Sequence, residues 1–183
     1  SRVNRFIGNV QLDYKLHFFP DLHVLLNVGV DNANGKGDDK IDSLAATDYD
    51  TRGRFSHYAQ VKENTLVDVS LFYDKNLPNL NSKIDLLVGH SYQDFVTKVY
   101  NYEVYGRDRQ LIPGSTPNFA WDKPQYRLES YFGRANINIA QKYLLTATLR
   151  RDASSKFSPE NRVGYFPSLA FAWRLKDEFF KTS

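Results

Sequence analysis

Tyr100, Tyr102, Tyr105 and Trp121 crowd into one irregular stretch beside Arg107, Asp108, Arg109 and Gln110, with Phe95 and Phe119 near its ends. Aromatic faces next to planar polar groups suit sugar rings, whose axial hydrogens pack on the π-face while their hydroxyls find hydrogen bonds. The same rings would also serve to pack the stretch against its neighbours or a partner. A second set, Arg134, Asn136, Asn138, Arg150, Asp152 and Arg174, falls on the polar side of alternating runs. Such residues line a polar passage or pair with a domain inside it, and Arg150 with Asp152 also makes a structural ladder pair. Tyr100, Tyr102, Tyr105, Trp121, Arg134 and Arg150 are the candidate substrate-binding residues.

Other chemistries find less support. Asp31 to Asp42, DNANGKGDDKID, carries several carboxylates but lacks the D-x-[DN]-x-[DN]-G spacing and the closing Glu of a calcium loop. It reads as a solvated loop, with Asp38, Asp39 and Asp42 the residues an ion would use. The 4 histidines, His17, His23, His57 and His90, share no H-E-x-x-H or H-x-H spacing. Ser154 and Ser155 sit in no G-x-S-x-G elbow. With 0 cysteines there is neither a disulfide framework nor a thiolate site. No catalytic residue, metal site or cofactor is expected, and the chain is not expected to be an enzyme. A net charge of +3, with Lys and Arg interspersed among Asp and Glu, gives no nucleic-acid footprint.

The elements that position these residues are strands. Between Lys142 and Leu175, two runs of about ten residues alternate around one polar loop. Tyr143, Leu145, Ala147 and Leu149 share a face in the first run, as do Val163, Tyr165, Pro167, Leu169, Phe171 and Trp173 in the second. Similar alternation marks Phe6 to Leu16, Leu22 to Asp31, Thr65 to Asp74, Ile84 to Tyr92 and Tyr126 to Ile139. Short breaks at Phe18 to Asp21, Asn76 to Ser82 and Ala140 to Lys142 separate some runs; long polar stretches at Asn32 to Glu63, Gln93 to Lys123 and Ala153 to Arg162 separate the others. A tilted strand of about nine to eleven residues crosses a bilayer, and outer-membrane barrels join strands by short periplasmic turns and longer extracellular loops. The expectation is a transmembrane antiparallel β-barrel segment of about seven strands. Aromatic residues at 15% fit the interfacial girdles of such barrels. No signal peptide precedes Ser1 and no Met occurs, so the 183 residues read as beginning in the middle of something.

Phe132-Gly133-Arg134, Arg150-Arg151-Asp152, Ser154-Ser155, Phe157, Asn161-Arg162, Gly164, Phe166-Pro167, Ala172-Trp173-Arg174 and Glu178-Phe179 together resemble the SusC/RagA family of TonB-linked outer-membrane transporters. Ala153 departs from the family's usual Gly at that turn. The resemblance implies that residues 1–183 form part of the barrel of a TonB-dependent receptor, with the plug domain not present. Large plugged transporters use about 22 strands, so roughly a third of the wall is expected. It further implies import across the outer membrane of oligosaccharides or peptides, a SusD-like surface lipoprotein on the outside, TonB acting through parts of the protein not in this sequence, and outer-membrane lipid around the wall. Two other readings fit the alternation: a small self-contained outer-membrane barrel acting as an adhesin or porin-like protein, and a soluble carbohydrate-binding β-sandwich.

Overall fold

The computed structural model describes residues 1–45, 53–106 and 108–175. In chain order the strands are β1 (Arg2–Lys15), β2 (Leu22–Ile41), β3 (Arg54–Leu77), β4 (Ser82–Tyr100), β5 (Val104–Tyr105), β6 (Trp121–Asp122), β7 (Gln125–Ile139), β8 (Tyr143–Ser154) and β9 (Val163–Trp173). Pro78–Leu80 and Pro159–Asn161 form single 3-10 turns. All strands belong to one sheet of order β1-β2-β3-β4-β7-β8-β9, with β5 paired to β3 and β6 to β4. The seven long strands are those the alternation predicts, and every sequential neighbour is joined as in a meander. Among the described residues no pairing joins β1 to β9, so the sheet is open.

Two expectations about the loops need correction. The polar stretch Asn32 to Glu63 is mostly strand, since β2 continues to Ile41 and β3 begins at Arg54. The stretch from Gln93 is likewise strand as far as Tyr100, and β5 and β6 interrupt its remainder. Polar and Gly-rich composition hides these extensions, because apolar alternation is the signal of a strand with one face in lipid or core, and a strand projecting into water needs no apolar face. Asp48, Asp50, Arg107, Glu178 and Phe179 lie outside the described residues.

The chain divides into two compact units, and β1 to β4 contribute to both. The first holds Ser1–Gly8, Val30–Thr65 and Asp94–Gln125. In it Arg5 grips Asp31 bidentately, Nε to Oδ1 at 2.8 Å and the terminal guanidinium nitrogen to Oδ2 at 2.6 Å. Phe55 pairs with Tyr105 and Val99 with Asp122, which stitches β5 and β6 to their longer partners.

The second unit, Asn9–Gly29, Leu66–Gln93 and Tyr126–Ser183, carries the pattern of a membrane wall. Tyr143, Leu145, Ala147 and Leu149 stand opposite Trp173, Phe171, Leu169 and Pro167 on β9, and opposite Ile139, Ile137, Ala135 and Gly133 on β7. Antiparallel partners share a face, so the apolar faces predicted for the hairpin coincide. Leu169 is 74% and Phe171 65% exposed. Aromatics bound this face at its two ends: Tyr143 stacks with Trp173 at 6.0 Å and with Phe171 at 6.5 Å near the short turns, and Tyr131, Arg151 and Tyr165 form a row near the long loop. Tyr131 and Ile139 are eight positions apart on β7, about 26 Å along a strand. Allowing for tilt, that spacing fits an apolar band of about 25 Å between aromatic girdles.

The opposite face is polar. Asn9 Nδ2 donates to Asn27 Oδ1 at 2.7 Å, Asn27 Nδ2 to Asp68 Oδ2 at 3.1 Å, and the Ser91 hydroxyl to Asp68 Oδ1, so one chain of bonds crosses four strands. His23 bridges Asp13 at 2.9 Å and Asp74 at 3.7 Å. Among the described residues no hydrophobic side chain is buried, whereas Ser70 and Ser130 are, at 9% and 6% exposure. A soluble sandwich buries apolar inner faces between two sheets. A single sheet with its apolar side chains exposed and its polar face knitted together has the opposite logic, that of a wall between lipid and water.

Candidate functional site

Of the six candidate substrate-binding residues, Tyr100, Tyr102, Tyr105 and Trp121 fall in the first unit and Arg134 and Arg150 in the second. In the first unit Tyr100 on β4 pairs in register with Trp121 on β6. Lys98 lies over both rings, 5.1 Å from the Tyr100 centroid and 4.5 Å from that of Trp121. The cation occupies the π-faces a sugar would use, so a sugar stacks there only by displacing it. Asn101 anchors the same corner through Nδ2 to Phe119 O at 3.2 Å and to Asp122 Oδ2 at 2.8 Å.

Tyr102 and Tyr105 open instead onto two cavities that share His57. The larger, about 630 Å³, is lined by Lys40, Arg54, Phe55, His57, Tyr105 and Arg109 among others. The smaller, about 470 Å³, includes Lys36, Asp38, His57, Tyr58 and Tyr102. His57 packs edge-on against Phe55 at 4.7 Å and Tyr102 at 6.0 Å, and its Nδ1 meets Asp38 Oδ1 at 2.5 Å. Lys40 Nζ lies over the Phe55 ring, 5.3 Å from its centroid. Tyr105 donates its hydroxyl to Glu103 Oε2 at 2.6 Å, and that hydrogen bond raises the phenol above its ordinary 10.0. These walls combine planar aromatics with cations, which can hold sugar rings or carboxylates.

His57 and Lys98 were not among the candidates. His57 reads as an isolated histidine only while 32–63 is taken for a loop; once Phe55 and His57 are seen to alternate on β3, the cluster is visible. The stretch Asp31 to Asp42, read as a solvated loop, is likewise strand as far as Ile41. Asp31 pairs with Arg5, Asp38 with His57, and Asp39 with Arg54 at 3.9 Å, along strand β2 and its end. Asp42 accepts the Leu44 amide at 2.9 Å as a local turn.

In the second unit Arg150 donates Nε to Asp152 Oδ1 at 2.6 Å and a terminal nitrogen to Ser130 Oγ at 3.1 Å, with the Phe132 ring at 6.0 Å. The three polar groups border a cavity of about 380 Å³ closed by Phe157 and Phe166. Arg134 stands opposite Thr148 and is exposed on the same polar face. Thr146 donates to Asn136 Oδ1 at 3.0 Å beside it. Arg150 is thus held by Asp152 on its own strand and by Ser130 on β7, while Arg134 is exposed.

Open meander, aromatic-bounded apolar face and bonded polar face together define a segment of a transmembrane antiparallel β-barrel. Residues 1–181 match the family described as TonB dependent receptor-like, beta-barrel. The chain belongs to that family, one of transporters and receptors rather than enzymes. It is 35% identical over 98% of its length to TonB-dependent receptor SusC of Bacteroides thetaiotaomicron, covering 18% of that protein. A TonB-dependent receptor of Formosa agariphila is 37% identical over 66% of the chain and 13% of its own length. Among solved structures, the RagAB peptide transporter superposes with a TM-score of 0.72 at 17% identity, over 99% of this chain and 20% of that one. BauA, the ferric preacinetobactin receptor of Acinetobacter baumannii, gives 0.59 at 17% identity, over 96% of this chain and 29% of that one. At such identities the structures speak for the fold. The chain therefore spans about a fifth of the length of the relatives it resembles, and the expected SusC/RagA kinship holds.

Proposed function

We propose that this chain is part of the wall and outward loops of an outer-membrane importer that takes up oligosaccharides or peptides, drawing on TonB and working with a SusD-like surface lipoprotein. The observation that carries the reading is the 35% identity to SusC sustained over 98% of the chain, strands and polar extensions alike. The polar face of the second unit then looks into the lumen, the three long connections face outward, and the cavities around His57 form a first contact for the solute. Carbohydrate is the preferred cargo because aromatic rings beside polar groups line the cavities around His57; a peptide is the second reading, favoured by the likeness to the RagAB peptide transporter and by the cations Lys40, Arg54 and Arg109 around one cavity.

The test is made on the full-length receptor with its neighbouring lipoprotein. Oligosaccharide and peptide panels are screened for binding by calorimetry, and growth of the source bacterium on each binder is followed with and without TonB. Growth that needs the receptor and TonB is expected; uptake that persists without TonB overturns the energised reading. In the same assay Trp121→Ala should weaken binding about three- to tenfold if its ring stacks on cargo. Lys98→Ala, which bares both ring faces, should leave binding equal or tighter.

A further inference from the structure

Apolar rings that face lipid are accounted for, but two stand on the polar side of the second unit. Phe157 and Phe166 are 59% and 56% exposed, and both line the cavity of about 380 Å³ beside the β8–β9 connection. Exposed apolar surface rimmed by polar groups marks a place where something binds. The Phe166 ring is held in one attitude: a Cβ built on Gly164 would come within 3.0 Å of its Cε2 and Cζ, so the ring lies against bare backbone. In register Phe166 stands opposite Arg150, and Arg150 opposite Phe132 on β7. The guanidinium is fixed in turn by Asp152 Oδ1 at 2.6 Å and by the buried Ser130 hydroxyl at 3.1 Å. Asn161 and Arg162 border the same cavity from the connection, whose ends are tied where the Ser154 amide donates to Arg162 O at 3.0 Å.

The cavity thus sets flat apolar faces beside a donor and an acceptor already locked together. A guanidinium has more N–H donors, and a carboxylate more lone pairs, than these bonds use, so the pair keeps hydrogen-bonding capacity toward the cavity. The charges around it select weakly. Arg162 is exposed, Glu160 stands just before it in the connection, and Lys156 lies over the Tyr126 ring at 3.7 Å; exposed charges in water contribute little. Arg134 lies farther along the polar face, opposite Thr148, while Arg127, Glu129 and Arg151 belong to the other face by alternation. Rings beside a self-neutralised polar pair suit an uncharged ring that carries hydroxyls. We propose that this cavity binds one neutral pyranose unit of an oligosaccharide. The sugar ring stacks on Phe166 with Phe157 at its edge, and its hydroxyls donate to Asp152 and accept from Arg150 and Asn161. The inference rests on the reading of this chain as part of a carbohydrate importer whose polar face looks into the lumen, and it gives the cargo a contact in the second unit separate from the cavities around His57.

The full-length receptor, purified in a detergent without a sugar headgroup, is titrated by calorimetry with cellohexaose, mannohexaose and xylohexaose. At least one should bind. Phe166→Leu, which keeps an apolar side chain but removes the flat face, should weaken that binding about three- to tenfold, and Phe166→Tyr should keep wild-type affinity. Phe171→Leu, the same change on the lipid-facing side of β9, should leave affinity unaltered. No binding of any of the three, equal affinities in Phe166→Leu and Phe166→Tyr, or an equal loss in Phe171→Leu overturns the site; the first is also the result if a segment of the receptor itself fills the cavity. Should Phe166→Leu fail to fold, Phe157→Leu in the exposed connection carries the test, with a loss of the same size expected and wild-type affinity overturning the site. Growth on the bound sugar is scored separately. A receptor that binds through Phe166 but supports no growth refutes the import reading alone, and growth with wild-type affinity in Phe166→Leu refutes the site alone.

Discussion

Gly89 shows how closely the polar face is packed. A Cβ built on it would come within 2.5 Å of Phe132 Cζ and of Ser70 Oγ, so the Phe132 ring lies on bare backbone. Gly89→Ala must push that ring or the buried Ser70 aside, at a cost of about 1–3 kcal/mol. Urea unfolding of the full-length receptor in lipid vesicles should show the loss; an unchanged midpoint means that the ring is free to move. The Arg5 and Asp31 pair gives a pH prediction. Hydrogen bonding to Arg5 first, and its charge as well, hold the Asp31 pKa below its ordinary 3.8, while partial desolvation opposes them. A folded value below the unfolded one means that the pair stabilises above pH 3.8 and loses its effect as pH falls through the folded value. The difference in thermal midpoint between wild type and Asp31→Asn should therefore shrink in acid, and a difference that grows there would reverse the sign. Neither residue was a candidate in the sequence, because the partner of each is a strand away.

At the scale of elements, the β8–β9 hairpin fixes which side chains meet lipid. Leu169 pairs with Ala147 on the apolar face, and its neighbour Ala170 pairs with Thr146 on the polar one. Arginine at the middle of a lipid-facing strand costs about 2–4 kcal/mol, and toward the lumen far less. Leu169→Arg should accordingly cut folded yield in the membrane while Ala170→Arg is tolerated; the reverse order would exchange the faces. The turn between β7 and β8 carries another expectation. Ala140 and Gln141, the central residues of the turn that the Lys142 amide closes onto Ile139 O at 2.9 Å, adopt φ of 52° and 58°, the left-handed region that Asn or Gly fills more easily. Ala140→Gly should relieve strain and raise stability by up to about 1 kcal/mol. This turn was legible only as a break in alternation, since it lacks the Asn-Gly signal. The strands of the second unit were legible almost to the residue because lipid imposes period 2 on them. The extensions of β2, β3 and β4 were not, because strand ends that face water on both sides obey no hydrophobic pattern. The cavity residues of the first unit were consequently only half visible: the aromatics stood out by type, while His57 and Lys98 depend on pairings that no spacing records.

For the whole molecule, the family membership and the wall architecture agree, and each accounts for what a soluble fold would leave unexplained. An ordinary domain of this size hides its apolar residues from solvent. Here the sheet hides serines and presents leucines, and solvent for those leucines has to be lipid. Short turns alternate with long connections along the chain, the sorting by length that an outer-membrane barrel shows. Across the described strands the two aromatic rows also behave as a gauge of thickness. A bilayer whose hydrocarbon exceeds the span between Tyr131 and Tyr143 would draw one row below its interface, and a thinner one would leave it in water, so the sheet or the lipid must adapt. Reconstituted into membranes of increasing acyl length, the receptor should pass through an optimum of stability, and the chain length at that optimum is already written in eight residues of β7.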